Sequence, residues 1–148
     1  MSWSSPTAGV FSALEVAGSG LTAERGRMNI IASNLANART TRAADGNPYR
    51  RLDPIFRAKS LEPKSFDRVL RNMNKVELSG VRPDQTPGQL NYDPTHPDAN
   101  AQGYVQYPNV NVVTEMVNMM TASRAYEAGV TSIDSIKSMA RSAMRIGQ

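Results

Sequence analysis

The stretch LEVAGSGLTAERGRMNIIASNL, residues 14–35, decides the fold. It contains no proline, and its large apolar side chains recur every seven residues as Leu14, Leu21, Met28 and Leu35. A seven-residue repeat places one apolar stripe along a helix and is typical of helices that pair as a coiled coil. The proline-free sequence around it predicts a helix over residues 10–38.

The ends of this predicted helix carry recognisable signals. Pro6 suits a first turn, because its missing N–H has no partner there in any helix. Asn34 and Asn37 suit the last turn, where we expect a left-handed backbone conformation. Interior glycines at 18, 20 and 26 each cost about 1 kcal/mol relative to alanine, so the helix is expected to need a closely packed partner.

A second proline-free segment, residues 110–146, predicts a longer helix. One column of side chains is spaced by seven: Val112, Met119, Tyr126, Ile133 and Ala140. Beside it lie a small-residue edge that includes Ala122 and Gly129, and an apolar row with Met116, Val130 and Met144. Sustained heptads indicate a coiled coil or bundle. The shorter first helix cannot cover the longer one, so apolar edges remain for other subunits.

The middle of the chain has a different character, since residues 40–108 contain eight of the nine prolines. Turn signals such as Gly46-Asn47-Pro48 and Pro87-Gly88 separate short segments that predict strands at 49–58, 75–81 and 89–92. Residues 59–75 fit either an amphipathic helical turn, through Phe66, Val69, Leu70 and Met73, or a strand.

The predicted fold class is therefore α+β. Long amino- and carboxy-terminal helices pair as a coiled coil, and a small β-rich insert lies between them. The predicted domains are a core of residues 1–39 with 109–148 and an insert of residues 40–108.

Charge is distributed unevenly along the chain, which has a formal net charge of +4. Residues 25–82 carry a net charge of +8, and residues 83–136 carry −5. A basic half followed by an acidic half suits head-to-tail contact between subunits, or a nucleic-acid partner for the basic half. The chain has no Lys or Arg run longer than two and no interleaved aromatic side chains. Both absences count against nucleic-acid binding. A basic nucleic-acid-binding module is therefore kept only as the alternative interpretation.

The sequence contains few of the residue types that an active site usually requires. It has no cysteine, and its single histidine, His96, lies in a proline-rich loop between Asp93 and Asp98 that is typical of a turn. One histidine provides neither a metal site nor a nucleophilic triad, so we expect no catalytic, metal or cofactor site. The glycine pair at Gly18 and Gly20 lacks the rest of a phosphate loop. We also expect no transmembrane helix and no Sec-type signal peptide.

Several motifs resemble the flagellar rod and hook axial proteins. Ile31-Ala-Ser-Asn-Leu-Ala-Asn37 is similar to the signature at the end of their first helix. Gly46-Asn-Pro-Tyr-Arg-Arg51 resembles the proximal rod proteins of this family, as do residues 92–105, 107–120 and 123–127. The similarity covers residues 10–57 and 78–147.

The resemblance implies a structural subunit, not an enzyme, in the bacterial flagellar basal body. Such subunits assemble into a helical tube that transmits torque and forms the export channel. They are exported by the flagellar type III apparatus and lie in the periplasmic rod. The implied partners are other copies, other rod proteins and the export-gate adaptor at the base of the rod, without nucleic acid, cofactor or membrane span.

Two sets of residues follow as candidates. The predicted assembly interface consists of Leu14, Leu21, Met28, Leu35, Met119, Tyr126 and Ile133. The family-motif positions are Asn34, Leu35, Asn37, Tyr49, Arg50, Arg51, Tyr92, Asp93, His96 and Asp98. Because both apolar stripes are incompletely covered in one subunit, we expect the terminal helices to fold on assembly.

Overall fold

The computed structural model describes the backbone of residues 6–61 and 73–146 and the side chains of residues 9–61 and 73–145. The elements are α1 (Pro6–Ala36), β1 (Leu52–Ser60), β2 (Asn74–Pro83), β3 (Leu90–Tyr92), β4 (Tyr104–Gln106) and α2 (Val112–Ile146). Two long terminal helices flank a small set of short strands, which confirms the predicted α+β fold.

Helix α1 has 31 residues and begins at Pro6, as expected for a proline in the first turn. It ends at Ala36, and the amide of Asn37 caps the last turn by donating to the Ser33 carbonyl at 2.9 Å. Among the described residues, no residue other than glycine has a positive φ. The left-handed asparagine that we expected at this end is therefore wrong, because side-chain capping replaces it.

Helix α2 has 35 residues and begins at Val112, two residues later than predicted. Asn111 caps it, since its side-chain oxygen accepts from the Thr114 N–H at 3.1 Å. Its less exposed positions alternate three and four apart: Met119, Ala122, Tyr126, Gly129, Ile133 and Ile136. The predicted column and the small-residue edge thus combine into one coiled-coil seam.

The strands form two antiparallel pairs. β1 pairs with β2, and backbone bonds near the two ends of the pair join Asp84 to Arg51 and Leu61 to Met73. β3 pairs with β4, with Leu90 opposite Gln106 and Tyr92 opposite Tyr104. The three predicted strands are confirmed with shifted ends. β4 was missed, because three residues are too few to show an alternating pattern.

The uncertain segment at 59–75 is described only at its edges. Its first residues complete β1, and its last residues begin β2. The helical-turn alternative rests on Phe66, Val69 and Leu70, which lie outside the described residues.

The chain divides into two compact units. Unit 1 consists of Met1–Gly26, Phe56–Ser79 and Ala122–Gln148. Unit 2 consists of Arg27–Ile55 and Gly80–Thr121. Each unit therefore contains part of both helices, and the division into terminal helices and insert stays a prediction.

The two units bury different kinds of side chain among the described residues. The buried residues of unit 1 are Ala23, Leu61 and Ala122. Those of unit 2 include larger and polar groups, and the principal ones are Ile30, Ile31, Val105, Asn34 and Glu115.

Candidate functional site

Asn34 in the last turns of α1 is the first family-motif residue with an unusual environment. It is 1% exposed, although asparagine is rarely buried. Its Nδ2 donates to the Leu52 carbonyl at 3.0 Å, and its Oδ1 accepts from the Leu52 N–H at 2.9 Å. The side-chain amide therefore pairs with Leu52 as a neighbouring strand would, at the residue where β1 begins.

The remaining hydrogen-bonding capacity of Asn34 is also used. The hydroxyl of Tyr49 donates to Asn34 Oδ1 at 2.9 Å, and the second Nδ2 hydrogen goes to Glu115 Oε2 at 3.1 Å. An asparagine amide has two donor hydrogens and two acceptor lone pairs, so all four are satisfied. A buried amide in this state fixes its neighbours strongly, because every displacement breaks a bond that water cannot replace.

Glu115, in the first turn of α2, is the buried charge that Asn34 contacts. It is 1% exposed. Its Oε1 accepts from Arg51 Nε at 2.8 Å and from Asn118 Nδ2 at 3.3 Å. A carboxylate in the first turn also interacts favourably with the helix dipole. The charge is therefore buried with a cationic partner and two amide donors, as a buried charge requires.

Arg51 connects this carboxylate to the rest of unit 2. Its guanidinium also donates to Asp53 and lies 3.9 Å from Asp84. Burial alone would lower the pKa of Arg51, but the hydrogen bond and charge of Glu115, together with Asp53, raise it above its ordinary value. Arg51 is therefore a cation at neutral pH.

The backbone of Arg51 is held as firmly as its side chain. Its N–H donates to Asn109 Oδ1 at 2.8 Å, and its carbonyl accepts from the Asp84 N–H at 2.7 Å. We call this group the polar junction, and it consists of Asn34, Arg51, Asp53, Asp84, Asn109 and Glu115. It ties the end of α1, the start of β1 and the start of α2 together within unit 2.

The polar junction has a structural rather than a chemical character. Asn34 uses all its hydrogen-bonding capacity, and the buried Glu115 carboxylate is bonded to Arg51, Asn34 and Asn118, so neither is poised as a base or nucleophile. The described residues contain no group of three or more His, Asp or Glu side chains that could hold a metal ion. What the arrangement can do is fix the geometry of three chain segments.

The loop around His96 forms a second cluster in unit 2. Asp93 accepts from the Thr95 hydroxyl and N–H, which lower the pKa of Asp93 below its ordinary value. His96 Nδ1 accepts from the Asp98 N–H at 3.1 Å. Asp98 in turn accepts from the Thr41 hydroxyl at 2.8 Å. The loop is thus a series of turns closed by its own side chains and tied to the residues that follow α1.

The structure brings some family-motif residues together and leaves others apart. Asn34 and Arg51 belong to the polar junction, and the Tyr49 hydroxyl donates to Asn34. Arg50 points elsewhere and donates to Gln85 at 2.6 Å on the surface. Tyr92 pairs with Tyr104 in an edge-to-face contact, with ring centroids 5.3 Å apart.

Sequence reasoning missed the acidic and amide partners in the polar junction, which are Asp53, Asp84, Asn109 and Glu115. Glu115 had a signal, because it lies four residues before Met119 and so occupies a seam position of α2. An acid at a seam position indicates a buried partner of opposite charge. Nothing comparable marks Asp84 or Asn109, whose role depends on long-range contact with Arg51.

The predicted interface stripe lies partly inside the subunit. Its members are all half-buried: Leu14, Leu21, Met28, Leu35, Met119, Tyr126 and Ile133. In unit 1 the two helices approach closely, since a methyl group at Gly129 would lie 2.7 Å from Leu21 Cδ2. Part of the stripe therefore packs α1 against α2.

Another face of α2 carries the apolar groups that the subunit leaves uncovered. They lie in unit 2, are between 51% and 70% exposed, and are Val113, Met116, Val117 and Met120. Spacings of three and four residues put them on one side of the helix, opposite the seam. Exposed apolar stripes of this kind mark interaction surfaces.

Unit 1 contains an open groove of about 490 Å³. Its walls come from both helices and from Phe56 and Val76. Small side chains dominate the helical walls, among them Ala17, Gly20 and Ala125. Unit 1 therefore has an open surface groove whose helical walls consist largely of small side chains.

Neither helix, within the described chain, has an apolar stretch long enough to cross a membrane.

Two protein families match segments of this sequence. Residues 14–43 match the flagella basal body rod protein family. Residues 101–146 match the flagellar basal body rod FlgEFG protein C-terminal family. The first segment contains the amino-terminal stripe and Asn34, and the second contains most of α2.

Whole-chain similarity extends to characterised relatives. The flagellar basal-body rod protein FlgC of Borreliella burgdorferi is 44% identical, over 95% of this chain and 99% of its own length. The FlgC proteins of Bacillus subtilis and Escherichia coli are 42% and 41% identical over 93% and 90% of this chain, and over 98% and 95% of their own lengths. These matches favour no nucleic-acid function.

Proposed function

The chain belongs to the FlgC family of flagellar basal-body rod proteins, and from this premise we propose that its helices pack against those of neighbouring subunits in a helical rod. It is a structural subunit of the basal-body rod and not an enzyme. The finer proposal is that it lies in the proximal rod, in a tube that transmits torque and surrounds the export channel.

The observation that carries this proposal is the apolar face of α2 formed by Val113, Met116, Val117 and Met120. No charged residue lies on this face between Val112 and Thr121, since Glu115 points to the seam. An uncharged face suits a permanent contact, whose buried centre is depleted of charged groups.

The proposed partners are other copies of this chain, other rod proteins and the export-gate adaptor at the base of the rod. Distinct surfaces support contact with several neighbours, because the α2 face lies in unit 2 and the open groove lies in unit 1. Contacts between different surfaces of successive subunits produce a helical filament when the rotation from one subunit to the next does not close a ring.

The proposed location is the periplasmic part of the basal body, after export by the flagellar type III apparatus. Export through a narrow channel requires a chain that unfolds readily. A unit with a small core and an open groove suits this requirement, because little buried apolar area opposes its unfolding.

The direct test introduces a charge into the α2 face. Met116→Glu is expected to reduce incorporation into isolated basal bodies, and swimming of a complemented null strain, by tenfold or more. The introduced carboxylate would have to be buried without a partner. Thr114→Glu, exposed in the same turn but on the flank of the helix, is the control and is expected to assemble normally. Normal motility of Met116→Glu would refute the proposed contact.

A further inference from the structure

The strand pair β3–β4 in unit 2 presents one side to solvent. In its antiparallel register Leu90 lies opposite Gln106, and Tyr92 lies opposite Tyr104. Opposed residues share a side of the sheet, and the three large side chains among these four are between 42% and 67% exposed. The other side is covered, because Val105 on it is fully buried. We call the exposed side, formed by Leu90, Tyr92, Tyr104 and Gln106, the β3–β4 face.

Two arginines lie next to the β3–β4 face. Arg42 lines an open depression of about 360 Å³ together with three residues of that face. Arg50 lines a smaller depression of about 90 Å³, and the two depressions share Pro48 and Gln106. Exposed tyrosine and arginine side chains are enriched where proteins bind one another. The β3–β4 face and its arginines therefore have the composition of an interaction surface.

The charge of this surface is positive. The guanidinium of Arg50 donates to the neutral amide of Gln85 at 2.6 Å, and this contact does not neutralise it. Arg42 lies 3.7 Å from Asp98, but it is 71% exposed, so solvent screens this ion pair and leaves it weak. A surface that combines arginine with exposed apolar groups fits a partner that combines carboxylates with an apolar side chain.

The acidic segment of the chain, residues 83–136, contains such a partner surface. Four of its six acids are already bonded within unit 2, and these are Asp84, Asp93, Asp98 and Glu115. The other two, Glu127 and Asp134, lie exposed on α2 in unit 1. The ion pairs of the described residues include neither of them, and Glu127 accepts a long bond from the Ser123 hydroxyl at 3.5 Å. Their charges are therefore available to a neighbouring molecule.

These two carboxylates form a stripe with an apolar centre. Glu127 and Asp134 are seven residues apart, so they lie on one side of α2 and about 10 Å from each other along its axis. Val130 lies between them on the same side and is 39% exposed. The basic residues nearest in sequence, Arg124 and Lys137, lie on the two flanks of this side. We call Glu127, Val130 and Asp134 the acidic stripe.

We propose that the β3–β4 face of one copy of this chain binds the acidic stripe on α2 of the next copy, with Arg50 paired to a carboxylate of the stripe. Each copy carries both surfaces, so the contact repeats from copy to copy in one direction. Two β3–β4 faces, or two acidic stripes, would bring like charges together, and this repulsion selects the head-to-tail arrangement. The inference rests on the proposed function, because it names the surfaces through which copies meet in the rod.

Reciprocal charge reversal in the full-length chain tests this contact. Arg50→Glu should reduce incorporation into isolated basal bodies by about tenfold or more, because like charges then meet across the contact. Adding either Glu127→Arg or Asp134→Arg to this variant should restore incorporation in one of the two combinations. Arg57→Glu, exposed on β1 outside the β3–β4 face, is the matched control and should be incorporated normally. Normal incorporation of Arg50→Glu, or a loss that neither second substitution restores, would overturn the proposal.

Disulfide cross-linking identifies the occupant without reversing any charge. The chain has no cysteine of its own, so introduced cysteines report only the chosen contact. A chain carrying both Leu90→Cys and Val130→Cys should form a ladder of linked copies when isolated basal bodies are oxidised. Chains with either cysteine alone are the controls and cannot link beyond a dimer. A double-cysteine chain that yields no ladder, or that links to a different rod protein instead, would contradict the assignment of a second copy.

The unmodified chain separates this inference from the proposed function. If the wild-type chain is absent from basal bodies of a complemented strain, the proposed function fails whatever the variants do. If the wild-type chain is present but Arg50→Glu is incorporated equally well and no ladder forms, only the inference fails.

Discussion

Units 1 and 2 contain parts of the same two helices but are held together in different ways. Unit 2 buries Asn34 and Glu115 in a set of hydrogen bonds that includes the partly exposed Arg51. Unit 1 relies on the close approach of Leu21 to Gly129 and on surface ion pairs. The difference teaches that a continuous helix can be stabilised in segments, since stability comes from tertiary contacts more than from helix propensity.

The largest expected effect is a loss of stability caused by a substitution in the polar junction of unit 2. Asn34→Asp replaces Nδ2 with an oxygen that faces both the Leu52 carbonyl and the Glu115 carboxylate, so the free energy of unfolding should fall by about 3 kcal/mol or more. Urea unfolding followed by circular dichroism measures this change. Asn29→Asp, exposed on the same helix, should unfold at the wild-type midpoint. Equal midpoints for both variants would contradict the importance of the polar junction.

A smaller effect is expected at the turn before β4. Gly103 has a φ of 81°, and a methyl group there would lie 2.9 Å from Tyr92 Cε2. Gly46 has the same φ, but no heavy atom lies within 4 Å of its added methyl group. Both alanine variants incur the left-handed penalty of about 1–2 kcal/mol, and Gly103→Ala should lose about 1 kcal/mol more through overpacking. Equal losses of unfolding free energy would show that Tyr92 moves aside freely.

Glycine-to-alanine substitutions in unit 1 test the comparison of the two units by stabilising the helices there. Gly20→Ala meets no heavy atom within 4 Å, so it should gain the helix propensity of alanine, about 0.5–1 kcal/mol. Gly129→Ala gains the same propensity, but its methyl group would lie 2.7 Å from Leu21 Cδ2. We therefore expect slower hydrogen exchange in residues 10–26 for Gly20→Ala and a smaller gain, or none, for Gly129→Ala. The reverse order would contradict the close approach of the helices.

The smallest effect is a pH dependence that arises from Asp93 in unit 2. Because the folded-state pKa of Asp93 is below its ordinary value of 3.8, Asp93 contributes stability above that value. This contribution is lost as the pH falls through the lower, folded-state pKa. Thr95→Val removes the hydroxyl that donates to Asp93, so NMR titration should find the pKa of Asp93 raised towards its ordinary value. An unchanged pKa would show that the N–H of residue 95 suffices.

The charge pattern along the sequence acquires a different meaning in the structure. Arg50 and Arg51 belong to the basic segment, residues 25–82, for which we predicted contact with the acidic segment of a neighbouring subunit. Arg51 is committed to Glu115 and Asp53 within its own subunit, whereas Arg50 is exposed and bonded only to Gln85 among the contacts described. Charge reversal at Arg50 therefore tests contact between subunits, and charge reversal at Arg51 would disrupt the polar junction first.

The sequence alone determined the α+β class, both helices to within a few residues, three of the four strands and the membership of a rod family. Periodicity and proline distribution are local properties, so they can be read without coordinates. Only the tertiary structure decided that Asn34 pairs with Leu52 instead of adopting a left-handed cap, that Glu115 is buried against Arg51, and that both helices are divided between two units. These features depend on residues 18 to 81 positions apart, and a pattern along the chain does not encode which distant groups meet.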